Sequence, residues 1–190
     1  MAAQDPDELF TTRTLFWLGS FQGAINEATG NKRIPASLAL EKQEYIYRSF
    51  LALGQTNVIT SEINSNSSVG LRSIKVLAKY IDNPVGEKES AGAEFKAMLA
   101  DSQDKTLLMM AASYYAHESN IKEAFKVIKN GANLEQHALL VQMYLRVDRS
   151  DLAQKQLKVM KALDEDSTLT MLCTAWVNMT LGQSKIQVTI

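Results

Sequence analysis

Apolar side chains recur along most of this chain at positions i, i+3, i+4 and i+7. Ile121, Ala124, Phe125 and Ile128 do so in the middle, and Phe21, Ala24, Ile25 and Ala28 near the start. That spacing puts the four on one face of a helix with 3.6 residues per turn. So short a helix cannot bury its own stripe. Its recurrence requires neighbours of the same kind, which is the pattern of a helical repeat array.

Read in order, the pattern predicts paired helices. Asp5-Pro6 supplies a capping carboxylate and then a proline in the first turn, so a helix is predicted over 6–18 and ended by Gly19-Ser20. Its partner carries the Phe21 stripe and stops at Gly30-Asn31, with Pro35 closing the linker. A second pair is predicted over 36–53 and 56–63, with Gly54 at the turn and the polar run Asn64-Ser65-Asn66-Ser67-Ser68 as a connector. The third pair is predicted over 69–81 and 85–99, divided by Asn83-Pro84. Its charged, glycine-bearing stretch from Gly86 to Gly92 is expected to be the least well packed or the longest-looped part. Helices at 105–118 and 120–129 form the fourth pair, where Asn120 and Glu123 make a capping-box-like start and Asn130-Gly131 a left-handed stop. The fifth pair covers 134–147 and 150–163, and a sixth first helix covers 167–181.

The turn markers Gly19 to Gly54, Ser119 to Asp148, and Asp148 to Ser184 are separated by about 35, 29 and 36 residues, around the ~34-residue tetratricopeptide period. Ala24, Ala124 and Ala153 fall where paired helices must approach closely. The predicted architecture is therefore all-α: a tetratricopeptide-like superhelix, or α-α solenoid, of about five and a half hairpins. It is expected to form one repeat domain over 1–182. Residues 183–190 alternate β-branched and polar side chains, as in Ile186-Gln187-Val188-Thr189-Ile190, and predict a divergent non-helical tail.

Composition narrows the function. Twenty basic and 21 acidic residues leave a net charge of -1, which gives no footprint for nucleic acid or an anionic membrane. A hydrophobic fraction of 46% is enough for a packed core. The acidic start of the chain lacks the basic-then-apolar order of a signal peptide, and no apolar run nears the ~20 residues of a membrane span, so a cytosolic protein is expected. The single cysteine, Cys173, lies in an apolar helical stretch and reads as a packed thiol.

Catalytic chemistry is sparse. His117 and His137 lie on different helices, with no carboxylate motif around either. The nine glycines are spread at helix ends and make no phosphate loop. Asp164-Glu165-Asp166 precedes a predicted helix and reads as helix N-terminal charge rather than a metal cluster. Lys155, Lys158 and Lys161 share a helical face, read as solvated, with a docking patch for an acidic partner as the sharper alternative. Met109-Met110 suits either core or an adaptable binding surface. No enzyme and no cofactor or metal site is expected. Binding is what remains. First helices of such hairpins line a concave side, and counting back from each turn places Arg13, Trp17, Arg48, Met109, Ser113, His117, Gln142, Arg146 and Asn178 there. That mixed polar and aromatic groove suits an extended peptide or a hairpin of another protein.

Several strings are more specific than the repeat pattern. They are Asp7-Glu8-Leu9-Phe10, Gly19-Ser20-Phe21-Gln22 with Ile25-Asn26-Glu27-Ala28, and Tyr47-Arg48 with Leu51-Ala52. Further on stand Leu107-Leu108-Met109-Met110-Ala111-Ala112-Ser113, Val147-Asp148-Arg149-Ser150-Asp151-Leu152-Ala153 and Leu163-Asp164-Glu165-Asp166-Ser167-Thr168-Leu169-Thr170, closed by Thr174-Ala175-Trp176-Val177. In this order the chain resembles the coatomer epsilon subunit family. The resemblance implies a non-catalytic structural subunit of the coat of Golgi-derived vesicles. It implies stable pairing with the C-terminal region of the coatomer alpha subunit and indirect association with beta-prime and the rest of coatomer. It also implies a role in Golgi-to-endoplasmic-reticulum and intra-Golgi transport. Location would be cytoplasmic, peripheral on Golgi membranes and coat protein complex I vesicles through the coat only, with no homo-oligomer. Family members continue for roughly another hundred residues of repeats after the Trp176 helix. The chain therefore looks like a shortened form, in which Leu172, Trp176 and Met179 are expected to lose cover. The alternative function is a generic tetratricopeptide adaptor holding a chaperone or other cytosolic peptide. Arg13 and Arg48 without a matching asparagine pair argue against the carboxylate clamp such adaptors use.

Overall fold

The structure, a computed structural model, describes residues 7–31, 34–129 and 131–187, with side chains as far as 182 in the last segment. Among these residues there are eleven helices and no strand. They are α1 (Phe10–Trp17), α2 (Phe21–Gly30), α3 (Ala36–Ala52), α4 (Thr56–Glu62), α5 (Val69–Asp82), α6 (Lys88–Asp101), α7 (Lys105–His117), α8 (Ile121–Ile128), α9 (Leu134–Arg146), α10 (Ser150–Leu163) and α11 (Thr168–Gln187). This is an all-helical fold of the hairpin-repeat type. The chain divides into two compact units, Met1–Leu107 and Leu108–Ile190.

Four of the hairpin turns share one chemistry. After α1, the Gly19 N–H donates to the Phe16 carbonyl (3.0 Å) and the Ser20 N–H reaches back to Leu15 (2.9 Å). The same pair of bonds ends α3 at Gly54 and Gln55, α7 at Ser119 and Asn120, and α9 at Asp148 and Arg149. This is the Schellman closure, which needs a left-handed residue at its centre. Gly19 and Gly54 supply it at φ 79° and 72°, and Ser119 and Asp148 at φ 57° each. The regular spacing of these positions in sequence thus marks where each first helix must reverse. Behind the turns, Ala24, Ala124 and Ala153 are almost wholly buried, as close helix approach demands.

In the first unit α2 packs on α1 and α3, and α5 lies against α3, α4 and α6. Its core includes Ile59, Ile63, Ile74, Leu77 and Phe95. The sequence marks one stripe on α5, but Val76, Tyr80 and Ser73 are buried as well, so α5 is covered on most sides. Its charges do not contradict this. Lys75 donates to the Thr60 carbonyl (2.8 Å) and to that of Ile63, placing an ammonium on the C-terminal carbonyls of α4. Near its N-terminus α5 carries Gly70 where the buried Glu44 of α3 and the Asp104 cap of α7 converge. A Cβ at Gly70 would stand 2.5 Å from Glu44 Oε1 and 3.0 Å from Asp104 Oδ1. Glu44 in turn accepts from Thr106 Oγ1 at 2.7 Å.

In the second unit α9 lies against α8, α10 and α11, and α10 also meets α11. Leu140, Val141, Met143, Ala153, Met160, Cys173 and Val177 are its buried centre. Asn120 Oδ1 accepts the Glu123 N–H (3.3 Å), the asparagine half of the expected capping box, and Asn133 caps α9 through the Gln136 N–H (2.9 Å).

Some boundaries differ from expectation. α1 begins at Phe10, after a turn in which the Leu9 N–H bonds Asp7; the Asp5-Pro6 start lies outside the described residues, as does Asn130 of the expected stop. The stretch expected to be loosest shrinks to a turn over 84–87. α6 starts at Lys88 and buries Ala91 and Phe95. The expected non-helical tail is not found over 183–187, because α11 runs on to Gln187. A lone Gly182 costs only about 1 kcal/mol against alanine, and Gln183, Lys185 and Gln187 favour helix, so the single β-branched Ile186 among them does not break it. Residues 188–190 lie outside the described residues.

Candidate functional site

α9 and the part of α7 from Leu108 onward lie in the second unit, as first helices of successive hairpins. Helical spacing aligns Ser113, Ala116 and His117 along one side of α7. On α9, Leu139, Gln142, Met143 and Arg146 align in the same way. These seven line a cleft of about 240 Å³. Met143 is buried and forms its floor with the half-buried Leu139 and Ala116; Gln142, Arg146 and His117 are exposed at its rim. Arg146 Nη1 donates to the Ala116 carbonyl at 2.9 Å, which ties the end of α9 to the last turn of α7. Ser113 Oγ turns inward to the Met109 carbonyl (2.9 Å), so its polarity is spent within α7.

Four of the nine groove residues read from sequence therefore meet in one place: Ser113, His117, Gln142 and Arg146. Met109, half-buried one turn before Ser113, and Asn178, exposed on α11, are not part of its lining. Leu139, Met143 and Ala116 were missed by the sequence reading. Their signal is the i, i+4 spacing of Leu139 and Met143 beside Gln142 and Arg146.

The first-unit members are placed differently. Arg13 is held by Glu41 (Nε to Oε1, 2.9 Å) and by Asp7. Trp17 is half-buried. Arg48 was expected on the groove surface but is buried, 9% exposed. Its guanidinium stacks 4.6 Å from the Phe16 ring centroid and 5.1 Å from that of Tyr45. The planar, weakly hydrated guanidinium makes that burial tolerable, and the two rings themselves meet edge-on at 5.3 Å.

The other candidate groups carry no reactive geometry. Cys173 is fully buried, and burial pushes its thiol up to about 12, so it stays protonated and packed. His137 is half-buried with Nδ1 against the Gln156 amide, and burial lowers its pKa. Among the described residues no group of three or more His, Cys, Asp or Glu is placed to hold a metal ion. No described helix is long and apolar enough to cross a membrane.

Helical hairpins closed by a repeated turn, with a cleft between successive first helices, define a scaffold of the helical-repeat class. The chain belongs to the coatomer epsilon subunit family, whose family model matches residues 5–189. It is 41% identical over 188 residues to coatomer subunit epsilon-1 of Oryza sativa subsp. japonica, covering 96% of this chain and 63% of that protein. It is 38% identical over 185 residues to coatomer subunit epsilon-2 of Arabidopsis thaliana, with 96% and 62% covered. With coatomer subunit epsilon of Dictyostelium discoideum the identity is 30% over 191 residues, and the shares are 95% and 64%. The chain thus spans a little under two thirds of the length of these relatives.

Proposed function

We propose that this chain is a non-catalytic structural subunit of the coatomer vesicle coat. In this reading it holds the C-terminal region of the coatomer alpha subunit and acts in Golgi-to-endoplasmic-reticulum and intra-Golgi transport. It reaches Golgi membranes only through the coat. The observation that carries the reading is the family match over residues 5–189. The cleft between α7 and α9 supports it: it is open, with an apolar floor and a polar rim, as suits a segment of another protein. A carboxylate-clamp adaptor is disfavoured, because Arg13 is held by Glu41 and Asp7 and Arg48 is buried beneath two rings. The test is a cytosolic pull-down with the whole chain as bait. Recovery of the alpha and beta-prime coatomer subunits is expected; recovery of chaperones alone overturns the reading.

A further inference from the structure

We infer that the α7–α9 cleft takes an acidic, apolar segment of its partner, with a partner carboxylate anchored on Arg146. The inference rests on the coat-subunit reading for the identity of the partner, and on the cleft alone for its chemistry. Not one of the residues lining the cleft is an aspartate or glutamate. Arg146 stands exposed at the rim, and its bond to the Ala116 carbonyl uses a single N–H. A guanidinium has five N–H donors in a planar fork, so the edge that suits a bidentate carboxylate is left for a ligand. No carboxylate among the described residues pairs with Arg146.

Arg13 and Arg149 are treated differently. Arg13 is held by Glu41 and Asp7, and Arg149 pairs with both oxygens of Asp151 at 2.8 Å. Arg72 lines a separate cleft together with Glu94 and Asp101. Around Arg146 the charge is uncompensated, and it lies beside Gln142, whose amide serves either a donor or an acceptor. The floor beneath is Leu139 and Met143. An apolar side chain seated there places the neighbouring partner residue over Arg146. A basic segment would meet the arginine with like charge, and a polar one would leave the floor wet.

Two measurements test this on the whole chain. In the first, methyl resonances of Leu139 and Met143 are followed as eight-residue peptides alternating Leu with Glu, Gln or Lys are added to millimolar levels. The Leu–Glu peptide is expected to shift them, weakly at raised salt, and the Leu–Lys peptide to leave them in place. Equal shifts from both, or none from the Leu–Glu peptide, overturn the acidic anchor whatever the natural partner is. In the second, the C-terminal region of the coatomer alpha subunit is titrated onto wild type, Arg146→Met and Arg146→Glu, each checked by circular dichroism. Arg146→Glu is expected to weaken binding by about 10- to 100-fold and Arg146→Met by less. Substituting lysine for one acidic residue of the alpha region is expected to restore Arg146→Glu. Equal affinity for all three variants overturns the anchor and leaves the coat-subunit reading standing. Failure of the alpha region to bind wild type, with the Leu–Glu shifts intact, overturns the partner and leaves the anchor.

Discussion

Exchanging glycine at the four Schellman turns separates backbone strain from packing. Gly19 and Gly54 sit at φ 79° and 72°, and a Cβ built on either would meet nothing within 4 Å. Gly→Ala there therefore costs only the left-handed conformation, roughly 1–2 kcal/mol. About 0.4–1 kcal/mol is recovered because alanine restricts the unfolded chain. The net expectation is a loss of about 0.5–1.5 kcal/mol at each. Ser119 and Asp148 hold the same conformation at φ 57° without the glycine. Ser119→Gly removes the strain and is expected to gain up to about 1 kcal/mol; Asp148→Gly gains less, because aspartate tolerates this region better than serine. Gly30, at the end of α2, also has empty space around its Cβ but no positive φ. Gly30→Ala should stabilise by a few tenths to about 1 kcal/mol.

The assay is urea unfolding followed by tryptophan fluorescence. The chain has two tryptophans, Trp17 in the first unit and Trp176 in the second. Replacing either by phenylalanine leaves a reporter for the other unit. Midpoints are compared at constant slope, so that a shift reports stability rather than a change in exposed surface. The reasoning is refuted if Gly54→Ala moves the first-unit midpoint in the same direction as Gly30→Ala. It is also refuted if Ser119→Gly lowers the second-unit midpoint as a glycine placed inside a helix would.

Three further outcomes are expected. Gly70→Ala should destabilise the first unit by about 1–3 kcal/mol despite the better helix former, because its Cβ would displace the Glu44 carboxylate or the Asp104 cap, and Glu44→Ala should shrink that penalty in a double-mutant cycle by urea unfolding. Burial holds the Glu44 carboxyl above the ordinary glutamate range, partly offset by the Thr106 hydroxyl and reinforced by Asp104. The folded state therefore keeps this proton to higher pH than the unfolded chain, and the group costs stability as pH rises through its folded pKa. The advantage of Glu44→Gln over wild type should thus grow from about pH 4 to pH 7 in thermal unfolding; a constant or shrinking difference would contradict the buried-carboxylate account. Phe95→Ala empties the position that joins α6 to the first-unit core and should cost about 3–5 kcal/mol in urea, against less than about 0.5 kcal/mol for the exposed Val85→Ala.

The helices were legible in sequence because their stripes are short and their stops are chemically distinct. Ala24, Ala124 and Ala153 signalled close approach before any contact was known. Gly19, Gly54, Ser119 and Asp148 signalled the turns by spacing, even where serine and aspartate conceal the left-handed backbone. Burial of long polar side chains was not legible. Lys75 looks like a surface charge on a helical wheel, yet it satisfies the end of α4. Arg48 looks like a groove cation, yet two rings cover it. Both place an apolar stem and a charged head in different environments, which a one-letter polarity pattern cannot encode. α11 runs through Ile186 and Gln187 because a single β-branched residue is too little to outweigh propagation along a twenty-residue helix.

The same distinction explains why the candidate site was half legible. Counting back from a turn finds which residues share a face, and it found Ser113, His117, Gln142 and Arg146 together. It does not find which of those faces already has its charges answered from within. In the first unit Arg13 faces two carboxylates and Arg48 is stacked on two rings, so the positions that looked equivalent in sequence are closed to a ligand. At the α7–α9 cleft the single arginine meets only a helix-terminal carbonyl, over a floor of Leu139 and Met143. A cation without a carboxylate, beside the half-buried Leu139, is better satisfied in a complex that supplies both a carboxylate and an apolar side chain. The charge on Arg146, rather than the repeat geometry, is therefore what gives this cleft its proposed preference for an acidic segment.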